Sequence, residues 1–411
     1  MAHSKLYLGL DFGTSGARAV AINDAGEVLA GAKQMYGNKA AADWPAEWHR
    51  ALRALLSELG REVCAGVAAA AFDGTSSTAL LVNTADAGAV AAGGAHLAAP
   101  KLYNEAQARE VVERAKAMAP AKHTATAASS TLCKLLAWDA DGVWQQAQAR
   151  GGQPRLLHHA DWLAALLHGR WAASDWNNCL KLGFDPAAEA FPGWLTSQPF
   201  AGLLPAEVNA PGAPVAPVTA QVAAATGLSE DCLICAGTTD SIAAFMAAGV
   251  RRPGEAVTSL GSTLAVKLLS GTRVNDAATG VYSHRLGDTW LVGGASNTGG
   301  AVLRHYFSNE RIAALTPRLR PDVPTGLDYY PLLRPGERFP VADPALAPRL
   351  EPRPSDDALF LQGLLEGMTA VEARAYAVLA AMGATPLTQV YTAGGGARNA
   401  AWTQMRQRLL G

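Results

Sequence analysis

Four short segments place carboxylates, hydroxyls and glycines in orders that suit phosphate handling and proton transfer. The first is Asp11-Phe12-Gly13-Thr14-Ser15-Gly16, with Arg18 just beyond, directly after the apolar run 6–10. A glycine-containing turn lets backbone N–H groups approach phosphate oxygens closely. Thr14 and Ser15 add hydroxyl donors. Asp11 at a strand end is an oxygen ligand for Mg²⁺, direct or through water, since that ion prefers oxygen and keeps its waters. The same residues also suit an ordinary hairpin turn, where Asp and Gly are common.

The second segment is Ala236-Gly237-Thr238-Thr239-Asp240-Ser241, between apolar Leu233-Ile234 and a helix-like stretch over 242–248. Asp240 then falls near a helix N-terminus, where its carboxylate can take the proton of an attacking hydroxyl. Thr239 or Asp240 acting only as an N-cap is the competing reading. The third segment, Leu260-Gly261-Ser262-Thr263, is a second phosphate-type turn. The fourth, Thr392-Ala393-Gly394-Gly395-Gly396-Ala397-Arg398-Asn399, lies between a strand at 390–391 and a helix over 400–410. Three glycines after a strand let a flat ligand such as adenine lie against the backbone, although a lone triple glycine is commonly a flexible loop. Neither a G-x-x-x-x-G-K-[ST] loop nor a G-x-G-x-x-G fingerprint is present.

These segments need elements to hold them. The pattern predicts a β-meander over 6–10, 17–22 and 27–30, with turns at 11–16 and 23–26. A helix follows, with Pro45 in its first turn, Leu52, Leu55, Leu56 and Leu59 on one face, and Gly60 as its stop. A strand over 67–72 runs into Asp73-Gly74-Thr75-Ser76-Ser77-Thr78. Proline and glycine rise between about 186 and 218. A second β-rich block spans 256–269 around the Gly261 turn, and a long helix lies within 359–382 with Gly383 as its stop. A hydroxyl-and-glycine turn between two strands near the start of each half suggests a duplicated fold.

The chain has 411 residues, 49% of them hydrophobic and 17% charged, with a net charge of -1. That length favours two domains with a substantial core. Lys and Arg are scattered, so nothing points to nucleic acid or a membrane surface. The N-terminus lacks signal- or transit-peptide character, no stretch approaches a spanning helix, and five cysteines show no disulfide spacing; a cytoplasmic location is expected. Cys232-x-x-Cys235 has no second pair to complete a zinc site. Asp161, after His158-His159, reads as the N-cap of a helix beginning at Trp162. The tryptophans read as core and interface.

In this order, and together with Lys134-Leu135-Leu136-Ala137-Trp138, Gly326-Leu327-Asp328-Tyr329-Tyr330-Pro331, Gly336-Glu337-Arg338-Phe339-Pro340 and Leu364-Leu365-Glu366-Gly367, the segments resemble the FGGY carbohydrate kinases of the actin/Hsp70/sugar-kinase superfamily over almost the whole chain. The resemblance implies an α/β fold of two ribonuclease-H-like domains, 1–247 and 248–411, with the active site in a central cleft. It implies ATP and Mg²⁺ as cofactors and a small sugar as partner, in a monomer or a dimer. Asp11 would lie near the Mg²⁺ and the transferred phosphate. Thr14, with Gly13, Ser15 and Arg18, would form the first phosphate segment, and Gly261, Ser262 and Thr263 the second. Gly394, Gly395 and Asn399 would hold adenosine, and Asp240 would be the general base. Family members usually continue with a further strand and a glycine/alanine-rich helix, so the resemblance implies a C-terminal domain lacking both.

Where xylulose and glycerol kinases usually carry Gly-Gln, this chain has Asp73-Gly74-Thr75-Ser76, which is similar to the D-ribulose kinases of cyanobacteria and plants. Asp73 and Ser76 are then candidates for sugar hydroxyls, beside Asp11 and Asp240; a turn-capping Asp73 and a packing Ser76 are equally consistent. In Leu102-Tyr103-Asn104-Glu105-Ala106-Gln107, Glu105 and Gln107 replace the Asp and Arg of a Trp-x-Asp-x-Arg substrate loop, so that sugar contact does not carry over. Asn177, Asn178 and Lys181 fall in another substrate-side segment without assigned roles. The expected reaction is ATP-dependent phosphorylation of a pentulose, D-ribulose first and D-xylulose or another polyol second. A non-catalytic actin- or Hsp70-like nucleotide switch is the other class, but a switch needs no base such as Asp240.

Overall fold

Alternation of apolar and small residues makes the first strands one-sided. A computed structural model describes residues 5–37, 40, 43–276 and 278–411. Strands β1 (Leu6–Phe12), β2 (Gly16–Ile22) and β3 (Val28–Met35) form the expected antiparallel meander. Leu6, Leu8, Leu10 and Phe12 all turn to the buried face of β1. Helix α1 (Trp44–Leu59) buries Trp48, Leu52, Leu55, Leu56 and Leu59 in the same core and stops at Gly60, whose φ is +83°. Each such aliphatic side chain contributes about 1.5–3 kcal/mol on burial.

Strand β4 (Val67–Gly74) returns parallel to β1. Beyond it the sheet continues through β6 (Leu233–Cys235) to β5 (Pro214–Pro217), with the two-residue β7 (Thr238–Thr239) also pairing with β4, giving the order β3-β2-β1-β4-β6-β5. Helix α2 (Thr131–Ala140) centres a separate cluster that includes Leu132, Leu135, Leu136 and Trp138. Helix α3 (His159–His168) packs against the main sheet. It begins earlier than the sequence suggests. His158 is the N-cap, and Asp161 is the third helical residue; its carboxylate accepts from the His158 N–H at 3.2 Å in a reciprocal capping box. A polar residue before Trp162-Leu163 looked like a cap, but the histidines supplied the first turn.

The chain divides into two units, residues 1–244 and 245–411, and the division falls within helix α5 (Asp240–Ala247), after the short α4 (Trp176–Cys179). In the second unit, β8 (Glu255–Leu260), β9 (Leu264–Ser270), β10 (Tyr282–Leu286), β11 (Thr289–Ala295) and β12 (Gln389–Ala393) order as β10-β11-β9-β8-β12. Only β8 and β12 are parallel. Helices α6 (Gly300–Tyr306), α7 (Asp357–Ala381) and α8 (Ala400–Leu410) contribute to its core, with Leu361, Leu364, Leu365, Met368 and Trp402 buried. A buried ion pair ties α8 to α7, Arg406 Nη2 to Glu372 Oε1 at 2.7 Å.

The two sheets repeat one arrangement. A strand, a hydroxyl-and-glycine turn and an antiparallel strand come first, and a later strand lies parallel beside the opening one. The register pairs Asp11 with Asp73 in the first unit and Ser259 with Ala393 in the second. Two residues after the first member of each pair come Gly13-Thr14-Ser15 and Gly261-Ser262-Thr263; one residue after the second member come Gly74 and Gly394. Among the described residues no helix is long and apolar enough to cross a membrane.

Candidate active site

Strands β1 and β4 of the first unit end together, each with an acid as its penultimate residue. Asp73 on β4 is flanked in register by Asp11 on β1 and by Thr238 on β7. The carboxyl ends of parallel strands are where open α/β sheets bind ligands. Glycine 237 permits the approach of β7: a Cβ there would lie 2.3 Å from the Phe72 carbonyl oxygen. Two residues after Thr238, Asp240 opens α5, and its Oδ1 accepts from the Ser241 N–H at 2.6 Å.

Asp11, Asp73 and Asp240 therefore form one acidic group. Burial above all, then the charges of Asp11 and Asp240, push the Asp73 carboxyl up to about 8. Its Oδ1 is buried without a hydrogen-bond partner, an acceptor or, when protonated, a donor awaiting a hydroxyl. Asp73 lies within strand β4, not on a turn as a cap. Asp11 keeps 38% of its side chain exposed and faces Arg18 across β1–β2 at 3.6 Å. In the following turn the Gly13 N–H donates to the Gly16 carbonyl at 3.1 Å, and Thr14 and Ser15 are exposed. A half-exposed carboxylate with hard oxygens fits Mg²⁺ held through water. Among the described residues, no group of three His, Cys, Asp or Glu side chains closes on a metal position.

Ser76 is half-buried in the turn after β4, which is closed by the Thr75–Thr78 hydroxyl pair at 2.6 Å. Lys134, part of a segment quoted above without a role, turns out to lock this region. Its fully buried Nζ donates to the carbonyls of Ser77 at 2.7 Å and Leu102 at 2.6 Å, and burial lowers its amine to about 7. Glu105 Oε1 accepts from Lys101 Nζ at 3.0 Å and Gln107 Nε2 at 3.2 Å, so the departed substrate-loop pair is engaged within its own loop.

The segment with Asn177 and Asn178 meets β7 at Thr238. Asp175 caps α4, accepting from the N–H groups of Asn177 at 2.8 Å and Asn178 at 3.0 Å. Burial, then Asp161, pushes the Asp175 carboxyl up to about 7. The cap aims Asn177 Nδ2 at Thr238 Oγ1, 3.1 Å away. No spacing rule reveals this contact, because 61 residues separate the partners.

In the second unit, Gly261, Ser262, Gly395 and Asn399 line a cavity of about 750 Å³. Its walls mix Leu260, Leu303, Ile312 and Trp402 with Arg304 and Arg398. Thr263 and Gly394 are exposed and are not among the residues that line it. Gly394 has a φ of +86°, and a Cβ would come 2.8 Å from the Leu260 carbonyl oxygen; a Cβ on Gly395 would meet nothing within 4 Å. The Asn399 side chain caps α8, accepting from the Trp402 N–H at 3.0 Å, and donates to Thr316 Oγ1 at 3.2 Å. It shapes the wall through these bonds. Arg304, which sequence reading passed over, donates from Nη2 to Ser262 Oγ at 2.8 Å, placing a cation beside the hydroxyl turn. Apolar walls for a base, an open glycine and cations for phosphates make a cavity that fits a nucleotide.

Residues 256–411 match the FGGY family of carbohydrate kinases, C-terminal domain. Solved structures extend the likeness to the whole chain. A xylulose kinase from Brucella ovis superposes with a TM-score of 0.81 at 22% identity, covering 98% of this chain and 85% of that one. A xylulose kinase from Rhodospirillum rubrum gives 0.81 at 22%, covering 99% and 85%. A gluconate kinase from Lactobacillus acidophilus gives 0.79 at 16%, covering 99% and 84%. At these identities the likeness is one of fold. The chain thus has the two-unit, ribonuclease-H-like α/β fold of the solved sugar kinases, and its residues 256–411 match the C-terminal domain of the FGGY family of carbohydrate kinases.

Proposed function

We propose that this chain is an ATP-dependent carbohydrate kinase that phosphorylates a hydroxyl of a pentulose, D-ribulose first among the candidates. The observation that carries the reading is the acidic group of the first unit, Asp11, Asp73 and Asp240 at adjoining strand ends, with an unpartnered Asp73 oxygen. A neutral polyol supplies hydroxyls that both donate and accept, which suits carboxylates beside a protonated Asp73. Asp240 is the general base: as the sugar oxygen bonds to the γ-phosphorus, the proton passes to its carboxylate and ADP leaves with the electron pair of the broken P–O bond.

The second-unit cavity takes the nucleotide. Gly395 and the apolar walls admit the base, while Arg304, Ser262 and Gly261 lie toward its phosphates. Gly13, Thr14, Ser15 and Arg18 form the first phosphate segment, with Thr263 and Gly394 supporting the cavity turn. A bound Mg²⁺ supplies charge neutralisation on phosphate oxygens, and Asp11 would hold it through water. Ser76, with Asp73, faces the sugar. The solved structures named as xylulose kinases make D-xylulose the second substrate to test.

ADP release is measured with Mg-ATP and D-ribulose, D-xylulose, L-ribulose, glycerol or no sugar. Stimulation by D-ribulose above the others is expected. Equal turnover with and without every sugar would remove the kinase reading and leave a nucleotide switch.

A further inference from the structure

Thr238 stands in the acidic row yet carries no charge. It is half-buried, in register with Asp73, and two residues before Asp240. Its hydroxyl accepts from Asn177 Nδ2 at 3.1 Å, and no other side-chain hydrogen bond reaches that oxygen among the described residues. A threonine hydroxyl has one proton. With Asn177 filling an acceptor position, the proton remains available for an acceptor, since no side-chain hydrogen bond among the described residues uses it. Asn177 cannot swing away cheaply: it is 2% exposed, and the Asp175 cap holds its backbone.

The neighbours of Thr238 on the row are the carboxyls of Asp73 and Asp240, and an ionised carboxyl only accepts. A hydroxyl bound between them must find one donor for its lone pair and one acceptor for its proton. From this geometry we infer that Thr238 is a substrate-contacting, specificity-determining residue, donating to the oxygen of a polyol hydroxyl whose own proton goes to the acidic group, and that Asn177 is the positioning residue that orients it. The inference rests on the kinase reading above and deepens it. Its consequence is discrimination between a hydroxyl and a hydrogen at one carbon of the substrate. A site that hydrogen-bonds a substrate hydroxyl rejects the deoxy analogue strongly, because its own polar groups are left unpaired.

The test uses the whole chain with Thr238→Val, Thr238→Ser, Asn177→Ala and the Thr238→Val/Asn177→Ala double variant. Michaelis constants for sugar and for Mg-ATP come from ADP release, and sugar dissociation constants without ATP come from calorimetry. Thr238→Val keeps a β-branched residue on β7 and should retain the fold, which its melting temperature checks. We expect the sugar KM to rise about tenfold, the cost of one hydrogen bond, with the ATP KM unchanged. Thr238→Ser should restore the wild-type value. Asn177→Ala should move the same constant, and the double variant should be no worse than Thr238→Val alone, since both act through one hydroxyl.

An unchanged sugar KM in Thr238→Val, or an equal rise in both constants, overturns the assignment. If the wild type binds D-ribulose without turning it over, the kinase reading fails, and the calorimetric constants still decide Thr238. If the wild type binds no sugar of the panel, the assignment falls too.

Discussion

Asp11 and Asp73 occupy one register position on two parallel strands, and the Asp73 carboxyl, mostly buried and beside the charges of Asp11 and Asp240, is pushed up to about 8. Folding therefore takes up a proton at Asp73 between its ordinary value of 3.8 and about 8. In that window the folded state holds more protons than the unfolded one, so this group's contribution to stability falls as pH rises and is lost above about 8. Asp73→Asn removes the titration. Its melting temperature relative to wild type should climb between about pH 5 and pH 8.5. Parallel curves would mean that Asp73 is ionised throughout.

Asp240→Ala should lower sugar-dependent ADP release by about 10²–10⁴-fold, the usual contribution of a general base. Nucleotide affinity, read by calorimetry with a non-hydrolysable ATP analogue, should stay at the wild-type value because the cavity of residues 260–402 is untouched. Loss of nucleotide binding would assign Asp240 a different role.

Lys134→Met should destabilise by about 2 kcal/mol or more, since two buried carbonyls lose their donor. Burial lowers this amine to about 7 from its ordinary 10.5. Between those values the unfolded state holds more protons, so the contribution of Lys134 to stability rises with pH. Urea unfolding at neutral pH and at about pH 9.5 should show the gap between wild type and variant widening. A constant gap would mean that the amine is charged in both states.

Two adjacent glycines should respond oppositely to alanine. Gly394→Ala meets the Leu260 carbonyl oxygen at 2.8 Å in a left-handed backbone and should cost about 1–3 kcal/mol of stability. Gly395→Ala has open space and should melt as wild type, while its methyl narrows the cavity and weakens ATP-analogue binding. Equal melting temperatures for the two variants would contradict the cradle geometry.

Much of this was legible in the sequence, for definite reasons. The meander, α1, α7 and the two turns follow from short-range periodicity and from glycine stops such as Gly60. The two register-matched turns were visible because each lies between strands adjacent in sequence. Asp240 at a helix start followed from an apolar stretch after a hydroxyl cluster. What remained hidden depends on chain crossing. Asn177 reaches Thr238 across 61 residues, and Lys134 reaches Ser77 across 57. Arg304 meets Ser262 because α6 follows β11, a placement that tertiary packing decides. The start of α3 was misplaced because histidines in a first turn carry no apolar period.

The repeated strand-turn-strand arrangement ends in different chemistry in the two units. At matching positions the first unit presents Asp11 and Asp73, and the second presents Ser259 and Ala393, with Arg304 beside the Ser262 hydroxyl. The carboxyl pair of the first sheet can gain or lose a proton, whereas the matched pair of the second has none to exchange. One backbone arrangement thus carries two different surfaces, a carboxyl pair in one sheet and uncharged residues in the other.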